Sequence, residues 1–164
     1  MRFRLSDSLL VLWLTAMTAA TRSGLPVVEA NDNRTPAGVL RNDTLTIHLV
    51  VKMATWYPEA PDGPHVDVAA FGEEGKAPSI PGPLIRIPEG TTIVASVTNE
   101  LTDSTVWIRG LVSRPSSTVD STSIRPGQSR TFTFNAGKPG TYFYYASPGV
   151  INRKPARERA SPSC

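Results

Sequence analysis

Few residues in this chain are of types that do chemistry, and their spacing limits what they can do. The sequence holds two histidines, His48 and His65, and a single cysteine, Cys164. A blue-copper electron-transfer site needs two histidines and a cysteine, usually with an axial methionine. Cys164 is the last residue and has no histidine near it, so that site is excluded. His48 falls on the polar side of an alternating run and His65 in the turn-rich "DGPHVDV". A lone histidine in either setting reads as a surface residue rather than a ligand. Glu73 and Glu74 are adjacent carboxylates, which point apart on an extended chain. The hydroxyls of "DSTS" at Asp120 to Ser123 have no histidine base in sequence, so a serine nucleophile is unsupported. Aromatic side chains cluster at Tyr142, Phe143, Tyr144 and Tyr145. Tyr142 and Tyr144 are expected to pack one face of a sheet, which leaves Phe143 and Tyr145 open as a candidate sugar- or aromatic-binding surface. Trp107 and Arg109 share a face and can form either a cation–π contact or a plain surface pair.

The elements that must position these residues are strands. "LTIHLVVKMA" sets Leu45, Ile47, Leu49, Val51 and Met53 on one face and Thr46, His48, Val50 and Lys52 on the other. That period of two marks a half-buried strand. "VDVAAF", "TTIVASVTNEL", "STVWIRGLV", "SRTFTFNAG" and "TYFYYAS" extend the β pattern. "GEEGKAPSIPGPLIRIPEG" is dense in Pro and Gly and reads as loop or edge. "SRPSSTVDSTSIRPGQ" reads as a long polar connection. Short strands set apart by turn signals predict an all-β sandwich or barrel.

At 164 residues the chain supports one domain. "MRFR" followed by the apolar run Leu9 to Ala20 has the layout of a secretory signal peptide. Residues 1–30 are assigned to it, with cleavage after Ala20 or Ala30, and the product is expected to be exported. The apolar run is short of the roughly 20 residues of a membrane span. Residues 31–44 read as a flexible lead-in that carries two glycosylation sequons, "NRT" and "NDT". Residues 152–164 read as a disordered basic tail, too poor in apolar groups to offset ordering entropy. The net charge of +3 is located at the two ends, in Arg2, Arg4 and Arg22 and in Arg153, Lys154, Arg157 and Arg159. The folded part therefore has no excess of basic residues to serve as a nucleic-acid face. With one cysteine, no internal disulfide can form.

Four phrases in order carry a resemblance to a known family. They are "PGPLIRIPEGTTIVASVTNEL", "WIRGL", "RPGQSRTFTF" and "GTYFYYASPG". Together they resemble the N-terminal plastocyanin-like domain of multicopper oxidases, the laccase-like enzymes. The matched residues of the first phrase are Gly82, Pro83, Leu84, Ile85, Arg86, Gly90, Thr91 and Asn99. The likeness runs from about Leu45 to Gly149, so residues 45–151 are expected to form one domain, and the fold it implies is an all-β, cupredoxin-like Greek-key β-sandwich. It implies copper binding and oxidoreductase activity, with further cupredoxin domains as partners. Two histidine motifs on neighbouring strands supply half of a three-copper cluster in that family. Carried over residue by residue, those positions are Trp107, Arg109, Tyr145 and Ser147. Indole offers no lone pair, guanidinium brings a fixed positive charge, and neutral hydroxyls donate weakly. The expectation is a scaffold, or a fragment of a longer enzyme, without catalytic, cofactor or metal residues of its own and without stoichiometric copper. The rival expectation is a secreted β-sandwich that serves as a binding or assembly module. The family pattern also continues into a last strand that this sequence lacks, so an exposed sheet edge and self-association through it are expected.

Overall fold

The computed structural model describes residues 24–114 and 120–148. Most of the proposed signal peptide and all of the basic tail, Cys164 included, lie outside the described residues. Ten strands occur in the order β1 (Glu29–Ala30), β2 (Val39–Arg41), β3 (Thr44–Trp56), β4 (Val66–Glu73), β5 (Ser79–Ile80), β6 (Thr92–Asn99), β7 (Val106–Arg109), β8 (Thr122–Ile124), β9 (Ser129–Asn135) and β10 (Tyr145–Pro148). No helix occurs among the described residues.

The larger sheet has the order β2-β3-β6-β9, with β4 on the second half of β3. β3 and β6 run parallel and the other pairs in this sheet are antiparallel. A three-stranded antiparallel sheet, β10-β7-β8, faces it. The alternation explains the layering. Ile47, Leu49 and Val51 of β3 and Ile93, Ala95 and Val97 of β6 meet Val106, Ile108 and Ile124 of the smaller sheet, all buried. Each such Leu, Ile or Val contributes roughly 1.5–3 kcal/mol by leaving water.

Asn99 ends β6 inside this core with no exposure. Its amide donates to the carbonyls of Ser104 at 2.8 Å and Ile124 at 2.9 Å, and its Oδ1 accepts from Leu101 N–H at 3.0 Å. One side chain thereby satisfies three backbone groups at the crossing from the large sheet to the small one.

Several expectations need correction. The alternation of β3 does not run its whole length. Met53 is exposed and Ala54 is buried, because beyond Val51 the strand leaves the sandwich. There Ala54 packs with Val28 and Ala70 in a second small cluster. Residues 31–44, expected as a flexible lead-in, instead hold β2 and a two-residue hairpin turn. Asn42 and Asp43 both have positive φ, 46° and 57°, the pattern of a type I′ turn whose twist suits two antiparallel strands. Residues 27–30, expected to belong to the leader, pack into the domain. Val28 N–H donates to Thr55 O at 2.9 Å, and β1 pairs in parallel with β5. The polar connection after Val112 contains a strand, β8, which pairs with β7. "TYFYYAS" is strand only from Tyr145 onward. Gly110, with φ of 89°, breaks the ladder just beyond β7, so residues 141–144 lie against it without strand pairing. Tyr142 is exposed rather than packed, while Tyr144 is half-buried against the core.

Candidate functional site

β7 alternates cleanly. Val106 and Ile108 enter the core, while Trp107 and Arg109 point outward. β10 lies antiparallel beside it with Tyr145 opposite Arg109 and Ser147 opposite Trp107. The structure therefore gathers all four positions singled out in sequence into one two-by-two block on the outer face of the small sheet. On the other side of β7, Ser123 of β8 stands opposite Trp107. Trp107 is 42% exposed and Tyr145 49%. Arg109 Nε donates to Ser121 Oγ at 3.4 Å, which engages the guanidinium away from Trp107.

The block is held by neighbours to which the sequence reading gave no part in it. Gly110 N–H donates to Asp120 Oδ2, and Asp120 lies 3.5 Å from Arg114 Nη2. A Cβ on Gly110 would run into the carbonyl of Phe143 and lie 2.7 Å from Tyr144 Cα. Glycine is needed here both for its positive φ and for the close backbone approach. Tyr144 donates its hydroxyl to Pro83 O at 2.6 Å, and its ring meets Phe71 edge-on at 5.2 Å. Burial pushes its phenol well above the ordinary value. This contact ties the Gly82-Pro83 segment to the start of β10. In sequence, Asp120, Tyr144, Gly82, Pro83 and the glycine after "WIR" figure in other roles, and Arg114 in none. The contacts that Asp120 and Arg114 make are not fixed by residue types alone.

The remaining candidates lie apart from the block. His48 sits on the outer face of the large sheet with Nδ1 2.7 Å from Ser96 Oγ. His65 is exposed, its ring tilted against Tyr57 at 5.2 Å. Glu73 accepts from Gly38 N–H at 3.1 Å and pairs with Lys76, while Glu74 is exposed. Asp120 is taken up by Gly110 and Arg114, so the "DSTS" hydroxyls flank the block without a base.

The donor set decides whether copper fits. Four imidazoles in this register would share a face and could converge on metal ions. Trp107 has nothing to donate, Arg109 repels a cation, and the hydroxyls of Tyr145 and Ser147 are poor donors while protonated. The residues present do not fit copper, and no catalytic step is assigned to it in this chain.

Two facing sheets with two paired motifs on neighbouring strands define a cupredoxin-like β-sandwich. A family model described as multicopper oxidase matches residues 74–157, just over half of the sequence. The chain belongs to the multicopper oxidase family. It is 38% identical over 94 residues to the multicopper oxidase MmcO of Mycobacterium tuberculosis, a match that covers 54% of this chain and 17% of that protein. It is 32% identical over 108 residues to the L-ascorbate oxidase of Cucumis sativus, covering 61% of this chain and 17% of that one. The chain thus spans about a sixth of these curated relatives. Among solved structures, a variant of the McoA multicopper oxidase of the hyperthermophile Aquifex aeolicus superposes with a TM-score of 0.51 at 19% identity. That match covers 76% of this chain and 26% of the other. The structural likeness concerns the fold alone.

Proposed function

We propose that this chain is a plastocyanin-like domain of the multicopper-oxidase type that keeps the scaffold of a copper site without its ligands. Copper binding and oxidoreduction come with the family. In this chain the domain acts as a non-catalytic structural unit, exported and partnered by further cupredoxin domains. The observation that carries this reading is the block of Trp107, Arg109, Tyr145 and Ser147. It keeps the pairing that would let four ligands converge and fills it with groups that do not bind copper. The test is metal content after dialysis against copper, with an electron paramagnetic resonance spectrum. Loose, substoichiometric copper is the expected outcome. One tightly held copper per chain, lost on changing Tyr145 or Ser147, would refute it.

A second reading, a secreted binding or assembly module, is favoured by one feature. Trp107, Tyr145 and Phe143, the last 79% exposed, stand out from the small sheet and its approach segment. Large exposed aromatic groups are enriched at interaction surfaces. Binding of a partner that is lost in a Trp107→Ala, Tyr145→Ala double variant, while metal content stays unchanged, would support this reading over the first.

A further inference from the structure

A groove of about 410 Å³ runs between residues 84–89 on one wall and 137–144 on the other. Its floor is the domain core itself. Ile93 and Leu111, both nearly fully buried, line it together with Ile87, Phe134, Ala136 and Tyr144. Along the walls, Leu84 forms a bridge to Pro36 and Lys138 N–H donates to Arg114 O at 3.2 Å, while residues 85–87 and 141–144 belong to no strand. Among the described residues, no backbone hydrogen bond reaches residues 85–87 or 141–143. Backbone N–H and C=O groups beside an apolar floor carry an unmet demand for partners. A strand laid between the two walls could bond to both and set every second side chain on the floor. Residues 85–88, which precede the turn at Glu89 and Gly90, span about 13 Å when extended, enough for a strand of roughly four residues.

Charge narrows the occupant. Arg86, Arg114 and Lys138 line the groove against a single acid, Glu89. Arg114 already shares Asp120, and its Nε is buried without a partner among the described residues. Such a rim favours a segment with acidic ends. This chain's own residues 149–164 do not match it. They carry Arg153, Lys154, Arg157 and Arg159 against one acid, Glu158, and their only adjacent large apolar pair is Val150 and Ile151.

We propose that the groove is a strand-acceptor site. It takes an extended segment from another polypeptide, with alternating apolar side chains and acidic flanks, by backbone pairing to both walls.

The test uses the full chain and fluorescence anisotropy of a labelled peptide, Glu-Glu-Val-Thr-Val-Thr-Val-Glu-Glu. Two control peptides have lysine in place of each glutamate, or proline in place of the central valine. The first peptide is expected to bind with Kd on the order of 10 μM. The lysine-flanked peptide should bind about tenfold more weakly at low salt, and the proline peptide not at all, because proline cannot donate to a ladder. An Arg86→Glu, Lys138→Glu double variant changes only exposed side chains. Its fold is checked by circular dichroism, and it should reverse the order of the two charged peptides. Absence of binding at about 1 mM, or equal binding of the proline peptide, would overturn the proposal. So would sedimentation showing a dimer that the peptide dissociates, since the occupant would then be a second copy.

Discussion

Trp107 stands directly opposite Ser147 across the antiparallel pair of β7 and β10. Two residues along, Arg109 stands opposite Tyr145 in the same register. In an antiparallel pair, opposite side chains on one face lie about 4.5–5.5 Å apart at Cβ, with diagonal neighbours at about 7–8 Å. The backbone thus holds four side chains at spacings suited to shared ligands. On the proposed reading, what separates this surface from a copper site is side-chain chemistry.

Restoring that chemistry is therefore a direct test. A variant carrying Trp107→His, Arg109→His, Tyr145→His and Ser147→His places four imidazoles on the outer face. None of the four positions is buried, so the cost to stability should stay within about 1 kcal/mol. The variant is expected to bind Cu(II) at least about 100-fold more tightly than the parent, a difference of roughly 2.7 kcal/mol. Titration with isothermal calorimetry and the copper resonance spectrum read this out. Equal affinity in parent and variant would mean that the register does not bring the four positions together.

The N-terminal ribbon decides between the two cleavage positions. Removal after Ala30 would delete Val28, which is buried, and the bonds of Val28 to Thr55 and Glu29 to Pro78. Loss of one buried valine and two backbone bonds amounts to about 3 kcal/mol. Cleavage after Ala20 leaves them intact. The mature exported chain is expected to begin at Thr21 by intact-mass measurement. A chain starting at Asn31 should unfold at a clearly lower temperature than one starting at Thr21. If the two shorter chains melt together, the ribbon adds no stability.

Strand parity was legible in the sequence because a period of two depends only on neighbouring residues. It placed Trp107 with Arg109 and Tyr145 with Ser147 correctly. Which residue of one strand faces which residue of the other was not legible, since register is set by long-range pairing. The same limit hid β8, a three-residue strand in a polar stretch that forms because β7 has a free side there. Met53 and Ala54 exchange their expected environments for a related reason. Their surroundings come from Val28, a residue that local composition had assigned to a leader. Family likeness supplied the fold where local patterns could not, but it was silent on the contacts of Asp120 with Gly110 and Arg114.

Asn99 should be among the least replaceable residues. Asn99→Ala leaves the carbonyls of Ser104 and Ile124 and the N–H of Leu101 without their present partner in a site closed to water. An orphaned buried group costs about 1–3 kcal/mol, so a loss of roughly 3–4 kcal/mol is expected in urea unfolding. Asn99→Asp keeps the acceptor for Leu101 but turns the donor into an oxygen facing two carbonyls, and it should be at least as damaging. A loss under about 1 kcal/mol for either variant would mean that water or a backbone shift replaces the amide.

Tyr144 gives the domain an alkaline limit. Its phenol is buried and donates to Pro83 O, and burial raises its pKa above the unperturbed value of about 10. In the unfolded chain the phenol loses its proton near pH 10, while the folded chain retains it. Above that pH the unfolded state binds fewer protons than the folded state, so stability falls as pH rises. The contribution is fully present below pH of about 10 and declines by up to about 1.4 kcal/mol per pH unit above it. Tyr142 and Tyr145 are exposed and lack this burial. Tyr144→Phe leaves Pro83 O without its donor and should lose about 1 kcal/mol at pH 7. In return, its stability should decline less steeply between about pH 10 and 11 than that of the parent. Urea unfolding of both proteins across this range gives the two slopes. Parallel slopes would show that Tyr144 does not hold its proton in the folded domain, and that its contact with the Gly82-Pro83 segment is not the link that anchors the start of β10.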